Sequence, residues 1–140
     1  MSHWLLDTVV LSELRKADRA DPQFLKWHET ISARSCFISV ITLTEIRFGI
    51  RKVESSDPVF AARLEAWYQE KVMVHFRDKL LAVDVGVAER AADLMAAYRL
   101  SPFDALIGAT AQTHHCTLVT RNLAHFESTG IPLLNPWSAS

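Results

Sequence analysis

The chain has 140 residues, 49% of them hydrophobic, with 15 Lys and Arg set against 16 Asp and Glu. That length suits one domain spanning 1–140, which buries about 70% of the surface its unfolded chain exposes. A net charge of −1 excludes a long basic face of the kind that grips duplex DNA without sequence preference. No apolar run reaches the roughly 18 residues of a membrane span, and no signal peptide opens the chain. The expected location is cytoplasmic, with no membrane association. Cys36 and Cys116 both sit in apolar runs and read as buried, reduced thiols.

In chain order, Trp4-Leu5-Leu6-Asp7 reads as a first strand, with Asp7 at its end. A helix follows through Leu11, Leu14 and Arg15, and the polar stretch 16–20 ends it. Asp21-Pro22 starts the next helix, with Asp as N-cap and Pro at the first helical position. That helix carries Phe24, Leu25, Trp27 and Ile31 and stops near 32–35. A buried strand spans 36–39, and 42–52 reads as a helix with Leu43, Ile46 and Ile50 on one face. Asp57-Pro58 opens an amphipathic helix past Phe60, Leu64, Trp67 and Tyr68 towards Val74. A third strand spans 80–84 and a helix 85–98. Ser101-Pro102 opens a helix whose run 105–111 is uncharged, and a helix apolar all round is normally central. Strands at 116–120 and 131–134 complete the pattern. Strands alternating with helices predict an α/β fold, a three-layer α/β/α sandwich around a four- to five-stranded parallel sheet.

Three acids stand alone in apolar segments. Asp7 is one, Glu45 is the only charge between Cys36 and Ile46, and Asp104 is the only charge between Leu100 and Thr113. Each has a local explanation. Asp7 can cap the following helix; Thr42-Leu43-Thr44-Glu45 fits a capping box; Asp104 suits the positive end of a helix dipole. Together they point to one site beyond the carboxyl ends of the strands, where open α/β sheets bind ligands. Carboxylates that converge without Lys or Arg raise one another's pKa unless a cation compensates, and hard oxygen donors without thiolate or imidazole favour Mg²⁺ or Mn²⁺. Gly108, four residues after Asp104, either leaves space for a ligand or allows close helix packing.

Leu6-Asp7-Thr8, Leu43-Thr44-Glu45-Ile46-Arg47-Phe48-Gly49, Ser101-Pro102-Phe103-Asp104-Ala105-Leu106-Ile107 and Leu118-Val119-Thr120-Arg121-Asn122 occur in this order. Together they resemble the PIN-domain ribonucleases. The ending, with Thr129-Gly130 and Leu134-Asn135-Pro136-Trp137, resembles the VapC-type toxins of bacterial toxin–antitoxin modules. The resemblance implies a Mg²⁺- or Mn²⁺-dependent endoribonuclease with Asp7, Glu45 and Asp104 as its principal acids. Asn122 stands at a fourth position that often carries Asp, and Val9 stands where Asn is common. Asp7 and Asp104 would hold the ion; Glu45 would bind through water or orient the nucleophile. Thr8, Arg47, Thr120 and Arg121 are candidate contacts to phosphate or to the ligands, and His125 reads as a surface residue or a neighbour of the ligands. The implied partners are a cognate antitoxin, an RNA substrate and a second copy of the chain, with operator DNA reached only through the antitoxin.

Other readings keep the scaffold. One is an interaction protein whose chemistry is weak or lost. A phospho-accepting receiver domain needs an acidic pair beside the first strand and a late lysine, but Thr8 and Arg121 stand there. A haloacid-dehalogenase-type phosphatase needs Asp-x-Asp, which Val9 breaks. No phosphate-binding glycine pattern is present.

Overall fold

The computed structural model describes residues 2–137. Five strands form one sheet: β1 (Trp4–Leu6), β2 (Cys36–Ser39), β3 (Leu80–Leu81), β4 (Thr117–Val119) and β5 (Leu133–Leu134). Their order is β3-β2-β1-β4-β5, and every pairing is parallel. The apolar first segment is therefore central, with Leu5 opposite Phe37 on one side and Leu118 on the other.

Strand side chains alternate between faces, and each face has its own core. Leu5 is fully buried among Val87, Ala91, Leu94, Ala105 and Leu118, under helices α6 (Val85–Tyr98) and α7 (Pro102–Thr113). Leu6 points the other way, to Val10, Phe24, Ile46, Ile50 and Tyr68. Those residues belong to α1 (Thr8–Arg15), α2 (Pro22–His28), α3 (Val40–Val53) and the turn after α4 (Pro58–Trp67). Burial on both faces explains why the strands are continuous apolar runs rather than alternating ones. Cys36 and Cys116 are free and buried, and burial pushes the Cys36 thiol up to about 11.

Asp21, Asp57 and Ser101 cap helices with Pro at the first or second position, as their sequence pattern predicts. Two local expectations differ, and the alternatives at Gly108 are decided. The capping box at Thr42 does not form: α3 begins at Val40, because Ser39 accepts the Ile41 amide. Thr42 is then inside the helix, and the Glu45 side chain is not used in capping it. The helix towards Val74 is broken by a π turn at Tyr68–Val72 before α5 (Met73–His75); the extra residue lets both Tyr68 and Val72 turn inward. Gly108 is a packing glycine: an added Cβ would meet Ile131 Cδ1 at 3.0 Å, Phe126 at 3.5 Å and Leu94 at 3.6 Å.

Glu13 is a buried acid of structural use. It accepts the Asp21 amide at 2.7 Å and Lys16 Nζ at 3.0 Å, tying the end of α1 to the start of α2. The Asp21 amide above all, with Lys16, holds its pKa below the ordinary value despite burial. A depressed carboxyl stabilises the fold above its unfolded pKa, and that contribution is lost as pH falls through the folded value. Glu13→Gln is expected to cost about 2 kcal/mol at neutral pH and to remove part of the acid destabilisation, measured by urea titrations at neutral and acidic pH.

Candidate active site

Asp7 follows β1 directly. Its amide donates to Val119 O at 3.2 Å, which fixes it across the ends of β1 and β4. Its Oδ1 accepts the Val10 amide at 3.1 Å, capping α1. Capping and site placement are thus compatible, since one carboxylate has two oxygens. Glu45 lies on α3, which begins where β2 ends. Its Oε1 accepts the Thr8 hydroxyl at 2.6 Å, a bond between residues 37 apart. Asp104 is in the first turn of α7. Ser101 caps that helix by accepting the Asp104 amide at 3.3 Å, so the Asp104 carboxylate is not needed as a cap.

These segments meet at one cavity of about 70 Å³, lined by Asp7, Thr8, Val9, Glu45, Asp104, Ile107, Leu118, Asn122 and Phe126. It sits at the carboxyl ends of β1 and β4. No Lys or Arg lines it. Burial raises the Asp7 pKa, the Thr120 hydroxyl and the Val10 amide oppose that, and the negative charge of Glu45 adds to the rise. Asp7 and Glu45 therefore feel each other with no cation between them. His125, on α8 (Leu123–Phe126), meets Asp104 Oδ2 through Nδ1 at 3.0 Å. This contact orients the Asp104 carboxylate. The sequence signal for it is the three-residue step from Asn122 to His125, which puts both on one side of a short helix.

The remaining candidates divide. Thr8 lines the cavity, but its hydroxyl is engaged by Glu45. Thr120 is fully buried and accepts the Asn122 amide at 3.0 Å, so it shapes the turn and meets Asp7 rather than solvent. Asn122 lines the cavity, and its carboxamide makes no hydrogen bond among the described residues. The two arginines are not brought to the cavity. Arg47 lies two residues from Glu45, about 200° round the helix, where it pairs with Glu65 and covers the Tyr68 ring. Arg121 lies over the Trp137 ring at 4.9 Å.

The lining supplies three carboxylates and a neutral amide with no Lys or Arg, hard oxygen donors of the type that suit a divalent cation such as Mg²⁺. Among the described residues, no three His, Cys, Asp or Glu side chains form a ready-made cage. A divalent ion held here would therefore take only one or two direct carboxylates and complete its shell with water.

The PIN domain family matches residues 4–131. The chain is 33% identical over 140 residues to the VapC ribonuclease Y4jK of Sinorhizobium fredii, covering 95% of this chain and 96% of that protein. It is 26% identical to Toxin FitB of Neisseria gonorrhoeae over 95% of this chain and 97% of that protein. The crystal structure of FitAcB from Neisseria gonorrhoeae has the same fold, with a TM-score of 0.85, 24% identity, and coverage of 96% of this chain and 98% of that one. A toxin-antitoxin complex from Klebsiella pneumoniae matches with a TM-score of 0.69 and 29% identity over 96% of this chain and 98% of that one. With a parallel sheet ordered β3-β2-β1-β4-β5 and lone acids after its central strand and on two of its helices, the chain belongs to the PIN-domain family, alongside the VapC ribonucleases.

Proposed function

We propose that this protein is the toxin of a toxin–antitoxin pair and acts as a Mg²⁺- or Mn²⁺-dependent endoribonuclease in the cytoplasm. The observation that carries this is the convergence of Asp7, Glu45 and Asp104, from three distant segments, on one cavity without a lining Lys or Arg. When bound, the divalent ion supplies Lewis acidity and neutralises the negative charge that acids and phosphodiester would otherwise oppose to each other. Asp7 and Asp104 would hold it, with the contact from His125 to Oδ2 fixing the Asp104 carboxylate. Glu45, fixed through Oε1 by Thr8, orients a water with Oε2 and accepts its proton. Asn122 adds a neutral oxygen or amide donor for water or phosphate. In-line attack of that water on phosphorus breaks the bond to the 3′ oxygen, which takes a proton from solvent water, leaving a 5′-phosphate and a 3′-hydroxyl.

An antitoxin has a docking place further along the same face of α1, towards its carboxyl end. A second cavity, of about 470 Å³, is lined by Leu11, Leu14, Trp67, Val72 and Phe76, with Arg15 and Lys71 also on its wall. Phe60, Leu64 and Tyr68 are not among its lining residues; Tyr68 is core and Leu64 packs against it. Operator DNA is reached through the antitoxin, and a second copy completes the toxin. No helix of the described residues is long and apolar enough to cross a membrane. A weakly active scaffold that mainly binds partners is a second reading, favoured by the lack of a ready-made three-ligand cage.

The deciding experiment measures RNA cleavage and calorimetric Mn²⁺ binding side by side. Wild type is expected to bind Mn²⁺ and cut RNA; Asp104→Asn is expected to lose about 10²-fold or more in rate, and chelator should stop cleavage. Cleavage that survives chelation overturns the metal mechanism, and absence of both binding and cleavage favours the scaffold.

A further inference from the structure

We propose that α3 carries a track for single-stranded RNA leading out of the acid cavity, in which Phe48 stacks a nucleobase and Lys52 contacts a neighbouring phosphate. The proposal rests on the ribonuclease reading above. Residues three and four apart share a helix face, so Glu45, Phe48, Gly49 and Lys52 form one stripe. The buried residues of α3, Thr42, Ile46 and Ile50, lie to one side of it. Phe48 is 61% exposed, one turn beyond Glu45. The adjoining Gly49 leaves the helix surface open there, since an added Cβ on it meets nothing within 4 Å. Lys52 Nζ lies 5.4 Å from the Phe48 ring centroid.

Among the three cations of α3, charge accounting singles out Lys52. Arg47 is paired with Glu65, Arg51 with Glu54, and Arg121 covers Trp137. Lys52 is in none of the ion pairs among the described residues. An RNA strand entering a cavity of three acids needs cationic contacts away from the reacting phosphate. An aromatic face with an adjacent cation is the combination that binds unpaired nucleotides with little regard to sequence. It is a poorer match to a contact between two copies of the chain, because lysine is depleted in the cores of protein interfaces.

The test uses the full chain. Cleavage of mixed-sequence single-stranded RNA is followed with Mn²⁺, and anisotropy of fluorescein-labelled RNA is followed separately in chelator. Phe48→Ala is expected to raise KM and Kd about tenfold, with kcat nearly unchanged. Phe48→Trp should restore binding; Phe48→Leu, which keeps apolar bulk without a π face, should not. Lys52→Gln should lower the slope of log affinity against log salt by about 0.7. Equal binding by wild type and Phe48→Leu overturns the proposal. So does sedimentation in which Phe48→Ala dissociates a dimer that wild type forms, which would assign this face to a second copy. Cleavage by wild type with KM unmoved in all variants overturns only this proposal. Binding without cleavage, weakened by Phe48→Ala, supports it and overturns only the nuclease reading.

Discussion

Asp7→Asn is expected to reduce RNA cleavage by about 10²–10³-fold or more while raising the melting temperature of the ion-free protein. The two effects have one origin. Burial and the nearby Glu45 charge raise the Asp7 pKa, so at neutral pH the ionised carboxylate opposes folding. For an acid whose folded pKa exceeds its unfolded one, stability increases as pH falls from the folded value towards the unfolded one, 3.8 for aspartate. Asparagine removes the charge and that pH dependence, yet still accepts the Val10 amide, since Asn and Asp cap helices about equally well. Added Mn²⁺ should raise the melting temperature of wild type by preferential binding to the folded state, and should leave the variant unmoved. Thermal melts across pH, with and without the ion, read all of this. A variant that is both active and less stable would mean that Asp7 is a structural cap and nothing more.

The second large effect is on stability. Phe24 is fully buried and packs against Trp27, with ring centroids 5.8 Å apart, and against Trp137 at 5.0 Å. Phe24→Ala is expected to cost about 3–5 kcal/mol, a large part of the roughly 5–15 kcal/mol a domain has. In a chain of this size that lowers Tm by about 10–15 °C. The cavity would open under α2 and beside Trp137, whose ring also carries Arg121, the residue before Asn122. Loss of Phe24 should therefore loosen the turn that presents Asn122 and lower activity well below the melting temperature. Calorimetry and cleavage assays on Phe24→Ala and Phe24→Leu test this, with leucine expected to keep most of the stability. A Phe24→Ala protein that melts like wild type would show that the aromatic cluster is not the support it is taken for.

By itself the sequence determined what depends on neighbours in the chain. Unbroken apolar runs made the buried parallel strands legible. Asp-Pro and Ser-Pro pairs marked helix starts at Asp21, Asp57 and Ser101, because a cap and its proline act within one turn. The three lone acids were visible as charges with no local partner. The tertiary structure alone decided which groups those acids meet. Nothing near Glu45 announces that Thr8, 37 residues earlier, holds its Oε1, or that Ser39 rather than Thr42 starts α3. Arg47 looks available until α4 and the turn after it bring Glu65 and Tyr68 against it. Gly108 looks like room for a ligand until Ile131 and Phe126 fill the space. Helix caps are short-range and recur with few residue types, whereas side-chain pairing across the sheet depends on where whole helices pack, which no single segment encodes.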